Sequence, residues 1–186
     1  MASQPLVSII TPSYNQAAFL EAAIRSVLDQ DYPNIEYLVA DGGSTDGSET
    51  IIHRFADRLA WWVSEKDQGQ ADGANKGFRR ARGEIIGWLN SDDLYRPGAV
   101  AAAVAAFRAN PEAGMVFSDV DSIDASGQLI NRMRFGPRTL QDLMAFKIIS
   151  QPGVFMRRDL LEKAGYLDTS FHLLLDHHLW LRMALH

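Results

Sequence analysis

Val7-Ser8-Ile9-Ile10-Thr11-Pro12-Ser13-Tyr14-Asn15 is the stretch whose reading decides the fold. Val7 to Ile10 is rich in β-branched side chains and is closed by Thr11-Pro12, so it reads as a strand. Directly after it, Phe19, Leu20, Ala23, Ile24, Val27 and Leu28 recur at helical spacing. The alternation then continues outward. Ile35 to Ala40 is a second strand ended by Asp41-Gly42-Gly43, and Asp46 with Glu49 matches a capping box opening a helix through Ile51, Ile52 and Phe55. Trp61 to Ser64 is a third strand, Asp72 to Arg82 a helix and Ile85 to Leu89 a fourth strand. Pro97 begins an alanine-rich helix to Ala109, with proline where a helix start tolerates it, and Met115 to Ser118 is a fifth strand. Strands alternating with helices predict an α/β fold, a doubly wound and mostly parallel sheet with flanking helices.

From Asp119 the rhythm changes. Asp124-Ala125-Ser126-Gly127 reads as the turn of a hairpin ending near Phe135. Helical segments follow near Thr139–Lys147, Arg158–Ala164 and Asp176–His186. The pattern predicts one domain over 1–186, its last part small and α+β. The helix through Leu179 to His186 stops without glycine or proline, which predicts that the native chain continues.

Bulk composition narrows the function classes. With 47% apolar residues the 186-residue chain can bury a sizeable core. A net charge of -5 without any basic tract argues against a nucleic-acid polymer as partner. The absence of cysteine removes disulfides, thiolate zinc sites and cysteine nucleophiles, and it fits a reducing compartment. No apolar run approaches the roughly 20 residues of a membrane span, so the chain reads as soluble.

Ligands of an open parallel sheet bind outside the carboxyl ends of its strands. Those ends carry Thr11 to Asn15, Asp41-Gly42-Gly43, Glu65-Lys66-Asp67 and Asn90-Ser91-Asp92-Asp93. An aspartate at a strand end is commonly a turn former, but carboxylates gathered along one edge repel unless a cation or donor is present. The Gly-x-Gly-x-x-Gly dinucleotide motif and the phosphate loop are both absent. Adjacent Asp92 and Asp93 suit a hard divalent cation, Mn2+ or Mg2+, which keeps positions free for the phosphates of a nucleoside diphosphate.

These blocks, with Ser44-Thr45-Asp46-Gly47-Ser48, the stretch Ser64 to Gly77 and Leu89 to Asp93, resemble family 2 of the glycosyltransferases and its GT-A fold. The similarity runs from about Pro5 to Arg182. It implies an inverting transfer of a sugar from a nucleotide-diphosphate sugar donor to the hydroxyl of a carbohydrate or lipid-linked acceptor. The donor-binding part would be about 1–118 and the acceptor side about 119–186. The resemblance implies that Thr11, Pro12 and Tyr14 line the nucleoside pocket and that Asp41 binds base or ribose. Asp67 and the segment from Asp72 to Asn75 would face the donor. Asn90-Ser91-Asp92 stands where the family has Asp-x-Asp, with Asn90 replacing the first carboxylate, and either Asp92 or Asp93 can be the direct metal ligand. Phe171 to Arg182 is similar to the family's Glu-Asp block before a Leu-Trp-Leu-Arg helix, with Leu175 in place of the Glu. Asp176 would be the catalytic base, although a helix N-cap suits the position too. The implied setting is polysaccharide or glycolipid synthesis in the cytoplasm, at the inner face of a membrane.

Other side chains carry plainer readings. Adjacent His177 and His178 point apart on a helix and read as solvent- or acceptor-facing. Trp61 and Trp62 read as core and strand edge, Phe107, Phe117 and Phe155 as core, and Arg79, Arg80 and Arg82 as a solvated face. Gln151-Pro152 is a candidate acceptor contact. A glycosidase would need two carboxylates flanking one bond, and Asp176 has no such partner in the sequence. A sugar nucleotidyltransferase would need a glycine-rich loop with a following lysine after the first strand, which Thr11 to Gln16 lacks. A non-catalytic nucleotide-sugar-binding module is the remaining alternative.

Overall fold

A computed structural model describes residues 4–186. Five strands and four helices follow the predicted alternation: β1 (Val7–Ser13), α1 (Ala17–Leu28), β2 (Ile35–Asp41), α2 (Ser48–Phe55), β3 (Trp61–Ser64), α3 (Gln70–Phe78), β4 (Ile85–Trp88), α4 (Ala99–Ala109) and β5 (Met115–Phe117). A hairpin of β6 (Val120–Ile123) and β7 (Leu129–Met133) comes next, then α5 (Leu140–Met144), β8 (Val154–Arg157), α6 (Arg158–Ala164) and α7 (Leu175–Met183).

The main sheet has six strands in the order β3-β2-β1-β4-β8-β5. Strands β3, β2, β1 and β4 are mutually parallel. Chain order runs outward from β1 to β3 on one side and resumes at β4 on the other, so the strand order reverses between β1 and β4. Pro12 fits inside central β1 because β4 stops pairing at Ile10, which leaves one side of the Pro12 backbone free of ladder bonds.

Alternation along β1 and β2 divides the core between two faces. Ile10 and Leu38 pack with Phe78, Trp88, Leu179 and Trp180 on the α3, α6 and α7 side. Ile9, Tyr37 and Val39 pack with Leu20, Ile24, Ile52 and Val104 on the α1, α2 and α4 side. Helix α3 lies close against β1 because Gly77 faces it: a β-carbon there would stand 2.5 Å from Ile10 Cγ2.

The sequence reading differs from the structure at several places. Strand β8 was not anticipated; it comes from the C-terminal part and lies antiparallel between β4 and β5. It lies outside the strand–helix alternation, between the turn Gln151–Gly153 and α6, and takes its partners from strands far away in the chain. Helix α2 starts from Gly47 in the left-handed region, and Asp46 forms no capping box. The capping box belongs instead to α5, where Thr139 and Asp142 satisfy each other. Helix α4 begins at Ala99 after Gly98, two residues beyond Pro97. No helix among the described residues is long and apolar enough to cross a membrane.

Candidate functional site

The carboxyl ends of β1 to β4 and the first turn of α3 enclose a cleft of about 730 Å³, a size that suits a small-molecule ligand. Pro12, Ser13, Tyr14 and Gln16 form its floor beyond β1, and Gly42 and Gly43 follow β2. Lys66, Asp67, Gly69 and Gln70 make the wall between β3 and α3, and Asn90, Ser91 and Asp92 the wall beyond β4.

Side chains of the sequence blocks hold these loops together. Asn15 sits at φ 52°, a conformation asparagine tolerates better than most residues. It accepts from the Thr45 amide at 2.9 Å and donates its own amide to Ser44 Oγ at 2.8 Å. Asp46 accepts from the Ala17 amide at 2.8 Å and from the Ser48 amide and hydroxyl at 3.0 and 2.6 Å. One carboxylate thus holds the starts of α1 and α2 side by side, and these bonds keep it below the usual carboxylate range. Asp41, read as a base or ribose ligand, is buried. Its carboxylate accepts from the Gly43 and Ser44 amides and from the Ser44 and Ser64 hydroxyls. That shapes the turn carrying Gly42 and Gly43.

Asp67 lines the cleft, with its Oδ1 accepting from the Gly69 amide at 2.9 Å. Pro12, Tyr14, Asn90, Ser91 and Asp92 line it as well, and Tyr14 is 62% exposed there. Asp92 is exposed, and Asp93 lies half-buried beside it. Burial, joined by the negative charge of Asp92, pushes the Asp93 carboxyl up to about 6, with the Asn90 amide opposing. Among the described residues neither carboxylate has an ion-pair partner. Asp92 lines the cleft and Asp93, next to it in the chain, is not among the lining residues; two neighbouring oxygen donors that repel each other fit a hard divalent cation, which would lower the energy of both charged forms. No group of three or more His, Asp or Glu that could hold a metal ion occurs among the described residues.

Several predicted residues do not face the cleft. Thr11 is fully buried on the opposite face of β1, its hydroxyl 3.0 Å from the Tyr37 hydroxyl. Asn75 is buried too: its nitrogen donates to the Leu167 carbonyl at 2.8 Å and its oxygen accepts from the Leu167 amide at 3.0 Å. It clamps α3 to the loop after α6. Asp72 accepts from the Gln68 amide at 3.2 Å in the first turn of α3. Asp176 is half-buried in the first turn of α7, one residue inside the helix, because Leu174 takes the N-cap position at φ 55°. It is therefore not a cap, and among the described residues its carboxylate has no hydrogen-bond partner. Its neighbour Leu175 lines a depression of about 40 Å³ that shares Gly69 and Gln70 with the main cleft.

His177 is a correction: it is buried, bonded through Nε2 to the Leu143 carbonyl at 3.0 Å and stacked on Phe146. Its ring docks α5 onto α7. His178 stacks on Phe171 with ring centres 4.2 Å apart. Gln151 is likewise buried, bonded to Asn90 and to the Trp88 carbonyl. Arg80 lies over the Trp61 ring and Arg82 pairs with Glu36, so neither is simply solvated.

Ser13, Gln16, Lys66, Gly69 and Gln70 line the cleft without having been singled out. Lys66 and Gln70 lie inside the Ser64–Gly77 block, on either side of Asp67. A lysine pointing into an otherwise acidic strand edge was the available signal for an anionic ligand.

Against known proteins, the model of glycosyl transferase family 2 matches residues 8–165. An uncharacterized glycosyltransferase of Nostoc sp. is 31% identical over 87% of this chain and 54% of its own length. The O-antigen biosynthesis protein RfbC of Myxococcus xanthus is 30% identical over 99% of this chain and 15% of its own. The chain thus spans about half the length of the first relative and a smaller part of the second. Among solved structures, the mannosyltransferase PcManGT from Pyrobaculum calidifontis, in complex with GDP-Man and Mn2+, superposes with TM-score 0.76. That match has 27% identity over 98% of this chain and 53% of that one. The architecture is the GT-A fold, as expected. By this family match and this fold, the chain belongs to glycosyl transferase family 2.

Proposed function

We propose that the chain is the catalytic part of an inverting, divalent-metal-dependent glycosyltransferase that takes a sugar from a nucleoside-diphosphate donor. One observation carries this reading: the cleft at the strand-order reversal is walled by Asp67 and Lys66 on one side and by Asn90, Ser91 and Asp92 on the other. In a sheet with strands about 4.8 Å apart, the turns after β3 and β4 stand three strands, about 14 Å, from each other. A nucleoside laid over β1 to β3 with its pyrophosphate over β4 spans that distance. PcManGT, which shares this fold, carries GDP-Man and Mn2+, and this supports a donor and cation of that kind here.

Asp92 and Asp93 are the protein oxygens offered to Mn2+ or Mg2+, and a bound cation supplies Lewis-acid stabilisation of the departing diphosphate. Asp176 takes the proton from the acceptor hydroxyl as that oxygen bonds to the anomeric carbon. The bond from that carbon to the diphosphate breaks, and the electron pair leaves with the nucleotide. Attack from the face opposite the departing diphosphate inverts the anomeric centre. The depression that joins Leu175 to Gly69 and Gln70 supports an acceptor approach beside Asp176. RfbC, by its name a protein of O-antigen biosynthesis, supports a polysaccharide or glycolipid acceptor. Exposed Met144, Phe146 and Leu173 in the C-terminal part are compatible with one that is lipid-linked.

The test is thermal unfolding with UDP or GDP, each with and without Mn2+, followed by turnover of a panel of nucleotide sugars. Metal-dependent stabilisation plus turnover supports the enzyme reading. Stabilisation without turnover of any donor and acceptor pair turns the chain into a binding module, and no stabilisation removes the cleft assignment.

A further inference from the structure

Trp88, Asn90, Gln151 and Gln70 form a hydrogen-bonded group in which every amide orientation is fixed by chemistry. The Trp88 indole nitrogen can only donate, so the atom 2.9 Å from it is the Asn90 oxygen. The Trp88 carbonyl can only accept, so Gln151 must present its nitrogen to it. Gln151 is then left with its oxygen facing Asn90, and Asn90 meets that oxygen with its nitrogen at 2.8 Å. The Asn90 oxygen also accepts from Gln70 at 2.8 Å. Position 90 must therefore donate to Gln151 and to the Asp93 carboxyl and accept two bonds, which an amide does and an ionised carboxylate does not.

The arrangement has no alternative of equal quality. An aspartate at position 90 would set a charged oxygen against the Gln151 oxygen. Turning the Gln151 amide over would repair that contact but place its oxygen against the Trp88 carbonyl. Gln151 is only 7% exposed, so water cannot replace the lost partner. Asn90 also opens the turn of the metal-side wall, since its carbonyl accepts from the Asp93 amide at 3.1 Å.

We propose that Asn90 and Gln151 are a matched positioning pair that holds the Ser91-Asp92-Asp93 turn at the cleft wall, and that aspartate at position 90 weakens the site. The neutral first position of the motif is then the counterpart of Gln151, which opens the short 3-10 turn Gln151–Gly153 leading into β8. The strand inserted from the C-terminal part thereby supports the donor cleft. This rests on the nucleoside-diphosphate reading of that cleft.

The experiment compares wild type, N90D, Q151M and the N90D/Q151M double variant. Calorimetry would measure Kd for GDP and for UDP, each with Mn2+ and with EDTA. N90D and Q151M should each weaken Mn2+-supported binding about tenfold, on the order of one lost buried hydrogen bond. In the double variant the opposed oxygens are gone, so N90D should weaken binding less in the Q151M background than alone. Binding in EDTA should change less than binding with Mn2+, which a general loss of structure would not produce. If Q151M fails to fold, Q70A decides the case beside N90D, because it removes one exposed bond and leaves the pair intact; its loss should be the smaller. N90D binding as tightly as wild type or tighter, single effects that multiply in the double variant, or equal losses with and without Mn2+ would each overturn the pairing. Wild type that binds neither nucleotide with Mn2+ rejects the cleft assignment, and the pair falls with it.

Discussion

The Oδ2 atom of Asp67 lies 3.0 Å from the place where a β-carbon on Gly73 would stand. Gly42 approaches the same carboxylate from the other side, where its β-carbon would come within 2.8 Å. The carboxylate is thus seated between two glycines. Gly73→Ala should raise helix stability by up to about 1 kcal/mol, since alanine is the better helix former. It should also displace the Asp67 carboxylate and weaken nucleotide binding. Measuring the unfolding midpoint and the nucleotide Kd together checks this. A variant that gains stability and binds as well as wild type would remove Asp67 from the donor site.

Asp92→Ala should abolish the extra nucleotide affinity gained on adding Mn2+ while leaving affinity in EDTA nearly unchanged. Asp92 is exposed and has no protein partner among the described residues, so its removal breaks no folding contact. Asp93→Ala is the informative companion. Asp93 is half-buried and held up near 6 by burial and by Asp92, so losing it relieves repulsion as well as a ligand. Titrating Mn2+ into each variant at saturating UDP or GDP separates the two. If Asp92→Ala responds to Mn2+ as wild type does, Asp92 is not a ligand.

Asp176→Asn should lower turnover by roughly 10²- to 10⁴-fold, the usual worth of a general base, with nucleotide affinity unchanged. The residue stands one position inside α7, where its charge also favours the positive end of the helix dipole. A small loss of stability, about 0.3–1 kcal/mol, should accompany the loss of rate. Steady-state kinetics with a working donor and acceptor would read both kcat and KM. Normal turnover by the Asn variant would show that another group takes the proton.

Much of this arrangement was legible in the sequence because strand ends in a parallel sheet share one edge. Pro12, Tyr14, Asp67, Asn90, Ser91 and Asp92 reach the cleft for that reason. The parts that were not legible depend on which face of a strand or helix a residue occupies, or on partners distant in the chain. Thr11 lies one residue before Pro12, and the two-residue period of a strand turns it toward Tyr37. Asn75 shares a block with Asp67, yet its amide is matched to Leu167, 92 positions on. His177 read as a surface residue because nothing local announces that the Leu143 carbonyl lies opposite it. Strand β8 was unreadable for a similar reason: it is defined by its place between β4 and β5 and not by its own four residues.

Glu36 gives the pH dependence of the fold. It is 5% exposed and accepts from Ser8 Oγ at 2.5 Å, the Arg82 amide at 2.8 Å and Arg82 Nε at 2.5 Å. Burial raises its carboxyl, but the Ser8 and Arg82 bonds outweigh burial and hold it below its ordinary value of 4.5. Because the folded state has the lower value, the unfolded chain takes up the proton first as pH falls. The stability from this group is therefore complete at pH well above 4.5 and is lost as pH drops from 4.5 through the folded value. Ser8 Oγ already accepts from the Gly83 amide, so its own proton must go to Glu36. Glu36→Gln puts an NH2 group against one of these donors and leaves a buried conflict, at a cost of about 1–3 kcal/mol at neutral pH. Urea unfolding of wild type and Glu36→Gln from pH 7 to pH 3 checks the sign: the gap should be widest at pH 7 and should narrow below about pH 4.5. A gap that stays constant across that range would mean that the Glu36 charge contributes nothing and that only the shape of the side chain matters.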